Sequence, residues 1–330
     1  GTMADADRPV RAAALAGARL DGEGVNVVIV DQGIDAARLP RGAQMMGGWW
    51  KHGTTQPGAA DKDTHHGTMV AHNVLAIAPR ATIWDCPLIP PRIRANLPAF
   101  LSDAYGAIAR MAEDIALLKS LRPDAYGGHW VFVNAWSIYD RRGEAEEGDC
   151  TGHHGHCVTC TVEDAAQRAD LVFAAGNCGA FCPDGRCADD VIGPGRSILG
   201  VNSLPGVLTV GAVRADGIWA GYSSQGPGQF PDASGRPQEQ PDIAAPSSFR
   251  MSDTAHRRAG GSSAACAVAA GIVAALRTRD RGTDMAPSAL FDLLRQTARR
   301  EDGAGWNART GYGVVDCAQA LRALGKESVS

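Results

Sequence analysis

The sequence predicts an α/β fold with a mainly parallel sheet covered by helices on both faces. Three observations carry that prediction. Five short runs are almost continuously apolar and β-branched, as strands are when both of their faces are covered. Alanine-rich helical stretches lie between them, and alternation of this kind implies right-handed crossovers. No internal repeat or linker interrupts the 330 residues, so 11–330 is taken as a single domain. Residues 1–10 are set aside as an N-terminal tag or extension, because Gly1-Thr2 before Met3 resembles a cloning scar.

In chain order, the apolar runs place strands at 25–30, 82–88, 130–133, 171–174 and 207–213. Helices are expected at 66–77, 98–121, 162–169, 263–277 and 287–298. The helix at 263–277 has small residues at nearly every position and can be buried all round. Two stretches read as loops: 141–160, rich in Gly, His and Cys, and 226–241, rich in Gly, Pro and Gln.

Composition removes several function classes. Lys+Arg is 32 against Asp+Glu 36, a formal charge of −4, so no global basic field recruits nucleic acid or anionic lipid. The most apolar stretch, 264–276, is too short for the roughly 20 residues that span a bilayer, so no membrane partner is expected. The 40 glycines and 18 prolines are aperiodic, which excludes collagen-like repeats. His-Glu-x-x-His, P-loop and Gly-x-Ser-x-Gly patterns are absent.

In an open parallel sheet, ligands bind beyond the carboxyl ends of the strands. Polar residues that end strands or open helices are therefore the ones to weigh. Asp31 ends the first apolar run, and a carboxylate there must be bonded to something. His66, followed by Gly67, opens a helix. Ser263 opens the small-residue helix, whose free N–H groups can hold a developing oxyanion. Asn177, after Gly176, follows the 171–174 run with a side-chain amide that can do the same. Alone, each is an ordinary cap or turn residue. Together they supply a nucleophile, a base, a carboxylate to orient the base, and an oxyanion donor.

The order Asp, His, Ser, with these motifs, resembles the subtilases, the subtilisin-like serine peptidases. The resemblance rests on Asp31-Gln32-Gly33-Ile34-Asp35, His66-Gly67-Thr68-Met69-Val70-Ala71, Ala174-Ala175-Gly176-Asn177 and Gly261-Ser262-Ser263-Ala264-Ala265. Tyr222-Ser223-Ser224-Gln225-Gly226-Pro227, Pro241-Asp242-Ile243-Ala244-Ala245-Pro246 and Gly311-Tyr312-Gly313-Val314-Val315-Asp316 extend it over roughly 11–324. It implies a three-layer subtilisin-like fold and a serine endopeptidase working through an acyl-enzyme on peptide or protein substrates. Ser263 would be the nucleophile, His66 the base and then the acid. Asp31 would orient His66, and Asn177 with a backbone N–H would hold the oxyanion. No cofactor is required for that chemistry. The alternative is a catalytically inactive subtilase fold used as a binding module.

Departures from the family pattern also matter. Ser262 stands where the family usually has Thr, and Ala267 where it has Pro. The short stretch after the His66 helix lacks a loop that in many relatives helps bind calcium, which argues against calcium at that site. The substrate-binding strand reads Asn134-Ala135-Trp136-Ser137-Ile138, so Asn134, Trp136, Ser137 and Gly176 are candidate substrate contacts with an altered pairing pattern.

Six of the nine cysteines lie between 150 and 187, within a Cys/His-rich insert at about 141–200. Disulfides, a structural zinc site using Cys157 and Cys160, and free thiols are the three readings of this cluster. Asp184, Asp189 and Asp190 in the same insert suggest a preference for basic substrates. The protein is expected to be a monomer. Its compartment is left open: secreted if the cysteines pair, cytoplasmic if Met3 is the native start.

Overall fold

The computed structural model of the chain describes residues 2–51, 55–61, 65–89, 97–232, 234–250, 258–300 and 305–326. Seven strands form one parallel sheet: β1 (Asn26–Asp31), β2 (Gln44–Gly48), β3 (Thr82–Pro87), β4 (Trp130–Asn134), β5 (Asp170–Ala174), β6 (Leu208–Val213) and β7 (Ile243–Pro246). Their spatial order is β2-β3-β1-β4-β5-β6-β7. Strand order reverses at β1, which lies between β3 and β4, so the crevice expected for a ligand opens at the carboxyl end of β1, where Asp31 sits. Phe249–Arg250 (β8) and Arg258–Ala259 (β9) form a small antiparallel pair.

The pleat sends alternate strand residues to opposite faces, and each face has its own apolar core. Val27, Ile29, Val131, Val133, Val172 and Ala174 belong to one core; Val28, Val30, Phe132, Leu171 and Phe173 belong to the other. Helix α3 (His66–Ile77) covers the first face. With it lie α1 (Met3–Val10), α2 (Ala13–Gly17), α7 (Gly261–Leu276), α8 (Pro287–Thr297) and α9 (Cys317–Ala323). Helices α4 (Leu97–Leu121) and α6 (Cys157–Ala166) cover the second face, and the short α5 (Pro123–Tyr126) follows α4. On α4 the buried positions are Leu97, Leu101, Ala104, Ile108, Met111 and Ile115, an apolar stripe recurring every three or four residues. The predicted three-layer α/β architecture is thus present.

Helix α7 explains why small residues matter. Every residue from Ser262 to Leu276 is buried, between the sheet and α3. A β-carbon at Gly271 would lie 2.9 Å from Ile77 Cβ and 3.0 Å from the Val74 carbonyl oxygen, so the glycine sets how closely the two helices pack. At the far end of α7, the buried Arg277 donates to both oxygens of buried Asp170 at 2.8 and 2.7 Å and to the Thr283 carbonyl at 3.0 Å. The guanidinium and carboxylate are each engaged more than once, which a buried ion pair needs if it is not to be a net cost.

Several elements differ from the sequence expectation. The strands β2 and β7 are edges, one half-exposed and the other only four residues long, so neither carries the continuous apolar signal. The stretch set aside as an extension includes α1, whose Ala6 and Val10 are buried in the first core; Gly1 lies outside the described residues. Helix α6 starts at Cys157 rather than 162, because His156 caps it by accepting the Val158 N–H.

Candidate active site

Asp31 is fully buried at the end of β1. Its carboxylate accepts the Gln32 N–H at 2.7 Å, and His66 Nδ1 lies 2.8 Å from each of its oxygens. A carboxylate only accepts, so Nδ1 carries the hydrogen and Nε2 is left to act as a base. The approach is permitted by Gly67, where a β-carbon would fall 2.4 Å from the Gly33 carbonyl oxygen. Burial alone pushes the His66 imidazole down, but the Asp31 charge and hydrogen bonds outweigh it, and the net direction is upward from 6.5. Arg186 opposes that rise with its own positive charge. His72 faces elsewhere, with Nε2 donating to the Arg38 carbonyl at 2.6 Å.

Ser263 lies in the first turn of α7, almost wholly buried. Its hydroxyl donates to the Ala135 carbonyl at 2.9 Å, just beyond β4, and makes no hydrogen bond to His66. Asp31 also raises the buried Cys266 thiol, after the dominant effect of burial, so the first turns of α7 lie within the field of the Asp31 carboxylate.

Asn177 ends the segment after β5, and its amide is braced from both sides. Its Oδ1 accepts the Ser262 N–H at 2.8 Å and the Ser262 hydroxyl at 3.1 Å. Ser262 Oγ in turn accepts the Gly176 N–H at 3.0 Å. With Oδ1 committed to α7, Nδ2 faces the other way and donates to the Tyr139 hydroxyl at 3.0 Å. Neither the bracing by Ser262 nor Tyr139 was legible as a functional feature. The only cue was the paired Ser262-Ser263.

The four candidate substrate contacts separate in space. Gly176, at φ +107, lies against Ser137: a β-carbon there would be 3.1 Å from Ser137 Oγ and 2.7 Å from Ser224 Oγ. Asn134 and Trp136 point into the interior instead. The Trp136 ring packs edge-on against Phe100 and Phe173, centroids 5.2 and 5.4 Å away, and its carbonyl accepts from Asn202 Nδ2 at 2.7 Å.

The insert wraps against this site. Cys178 and Cys187 form a disulfide, closing a loop that begins one residue after Asn177. Asp184 N–H donates to the Asn177 carbonyl and Ala188 N–H to the Tyr139 carbonyl, both at 2.9 Å. Cys157 and Cys160 are exposed thiols on the first turn of α6, and Cys160 Sγ donates to the His154 carbonyl at 3.3 Å. Among the described residues no three metal-ligating side chains converge, so the donor set for a zinc ion is not assembled there. No helix among the described residues is long and apolar enough to cross a membrane.

A family model described as the subtilase family matches residues 22–313. Among solved structures, the chain is similar to MycP1 with its N-terminal propeptide removed, at a TM-score of 0.64 and 20% identity, with 96% of each chain covered. MycP1 from Mycobacterium smegmatis gives a TM-score of 0.62 and 22% identity over 96% of this chain and 84% of that one. The serine protease of Aeromonas sobria gives 0.61 and 18% over 93% of this chain and 61% of the other. At these identities the structural likeness establishes the fold alone. No curated protein matches the sequence. The family match runs through the strand ends and helix starts just described: the chain belongs to the subtilase family and is a subtilisin-like serine peptidase.

Proposed function

We propose that the chain is an endopeptidase that cleaves through an acyl-enzyme on Ser263, with His66 as general base and Asp31 as its orienting carboxylate. The observation that carries this is the fully buried Asp31 gripping His66 Nδ1 with both oxygens at the sheet's switch point. For attack, the Ser263 hydroxyl turns from the Ala135 carbonyl to His66 Nε2, which takes its proton as Oγ adds to the substrate carbonyl. Asn177 Nδ2 has two hydrogens: Tyr139 holds one and the other is available to the oxyanion. The Ser263 backbone N–H is the second oxyanion donor. His66 then protonates the leaving amine, and water activated by the same imidazole releases the acyl group. An extended substrate segment fits alongside the main chain at 135–137.

One observation favours the second reading, an inactive binding module: the Ser263 hydroxyl is bonded to a carbonyl and not to His66. A fluorophosphonate probe distinguishes the two. The peptidase reading expects covalent labelling of the wild type, none of Ser263→Ala, and cleavage of peptides at internal bonds. Absence of labelling together with intact peptides would leave the binding module.

A further inference from the structure

The three aspartates that suggested basic substrates, Asp184, Asp189 and Asp190, share their insert with Arg186. Two of these three are paired with arginines: Asp190 accepts from Arg141 at 3.0 Å, and Asp184 holds Arg186. Arg186 donates from Nε and Nη2 to the two Asp184 oxygens, 2.9 Å each, which leaves Nη1 without a partner among the described residues. The guanidinium is fixed a second way, with Cζ 4.2 Å from the centre of the Tyr139 ring. The Tyr139 hydroxyl accepts from the Asn177 amide, so one side chain touches both Arg186 and the proposed oxyanion donor. The adjoining residue, Cys187, is tied by its disulfide to Cys178 beside Asn177. The Arg186 side chain is nevertheless 58% exposed, and its charge is felt by His66.

We infer that Arg186 is a specificity-determining residue, giving the cleft a preference for a substrate with an Asp or Glu side chain within two residues of the cleaved bond. The inference rests on the peptidase reading above. Nη1 offers two N–H donors in a plane already held by Asp184 and Tyr139, so little side-chain freedom is lost when a carboxylate arrives. Asp184 competes electrostatically, which limits the gain to about that of one charge-assisted hydrogen bond, roughly tenfold in kcat/KM. A substrate lysine at the same place meets a fixed positive charge.

The test begins with a proteome-derived peptide mixture digested by the wild type and read by mass spectrometry, which assumes no cleavage sequence. Acidic residues should be enriched at a position within two residues of the cut. A matched Glu/Gln peptide pair built on the preferred site should then differ about tenfold in kcat/KM. Arg186→Gln should bring that ratio to about one, and Arg186→Lys should leave it in between. Cleavage without acidic enrichment, or enrichment that persists in Arg186→Gln, overturns the specificity and leaves the peptidase standing. A Glu/Gln ratio of about one in the wild type also overturns it, whether or not the Arg186 variants fold. Failure of fluorophosphonate labelling and of all peptide cleavage overturns the peptidase reading, and this inference with it.

Discussion

Replacing Asp85 by asparagine should remove a pH-dependent instability whose size follows from the site. Asp85 lies in β3, fully buried, with Oδ2 accepting the Ile34 and Gly58 N–H groups at 2.9 Å each. Its Oδ1 has no hydrogen-bond partner among the described residues. Burial pushes the carboxyl up; the two N–H groups resist this and the nearby Asp31 charge adds to it, so the group titrates at about 7 instead of 3.8. Because the folded value is raised, the folded chain keeps its proton after the unfolded chain has lost it. Stability therefore falls as pH rises from about 4 to about 7 and levels off above that. At about 1.36 kcal/mol per pH unit, the whole loss is about 4 kcal/mol, with roughly 2–3 kcal/mol of it between pH 5 and pH 8.

Asparagine keeps an acceptor oxygen for both N–H groups and cannot ionise. Urea unfolding at pH 5 and pH 8, in a Ser263→Ala background that prevents self-cleavage, gives the two stabilities. The Asp85→Asn chain should gain on its parent by about 2–3 kcal/mol between those pH values. A difference that stays constant across the pair of pH values would refute the argument, since it would mean that Asp85 is already ionised in the folded chain at pH 5.

Three further outcomes are expected. The His66 base must be neutral to act and is held above 6.5, so kcat/KM on a peptide should fall through an acid limb centred above 6.5; a midpoint at or below that value contradicts the Asp31 pairing. Asn177→Ala should lower kcat by about 10²–10³. It should also cost about 1–3 kcal/mol of unfolding free energy, because the Ser262 N–H loses its buried acceptor. Replacing both Cys178 and Cys187 by serine opens a loop with a sequence separation of 9. Loop-closure entropy sets the loss at about 2.5–3 kcal/mol, readable by urea unfolding, and a rise in peptide KM should accompany it as the Tyr139–Arg186 wall loosens.

How much of this was legible in the sequence depends on whether the signal is local. Strand β1 reads as Asn26-Val27-Val28-Ile29-Val30-Asp31 because both its faces are covered, and α7 reads as a buried helix because alanine and glycine leave room for α3. The places of Asp31, His66, Asn177 and Ser263 in the fold were legible for the same reason: each lies near where a strand ends or a helix begins, within an unbroken motif. Strand β7 was not, since four residues ending on Pro246 carry no period, and an edge position tolerates the proline. Tyr139 and Ser262 bond to Asn177 across 38 and 85 residues, and no local pattern encodes such a partnership.

The nine cysteines show how the same residue type can answer to three different physical demands. Cys86, Cys266 and Cys317 are buried thiols whose acidity burial suppresses, Cys86 up to about 12, and they pack as small apolar side chains. Cys266 in particular fits the small-residue helix that carries Ser263. Cys150, Cys157, Cys160 and Cys182 remain as thiols at or near the surface. Only Cys178 and Cys187 pair, and their position matters more than their number. A core of this size does not need a cross-link to fold, whereas the loop after Asn177 has few apolar residues to hold it. A covalent tie there fixes the backbone on either side of Arg186, and with Asp184 and Tyr139 it holds a guanidinium at the edge of the cleft. The disulfide is therefore best understood as a determinant of what the site recognises, and only secondarily as a source of global stability.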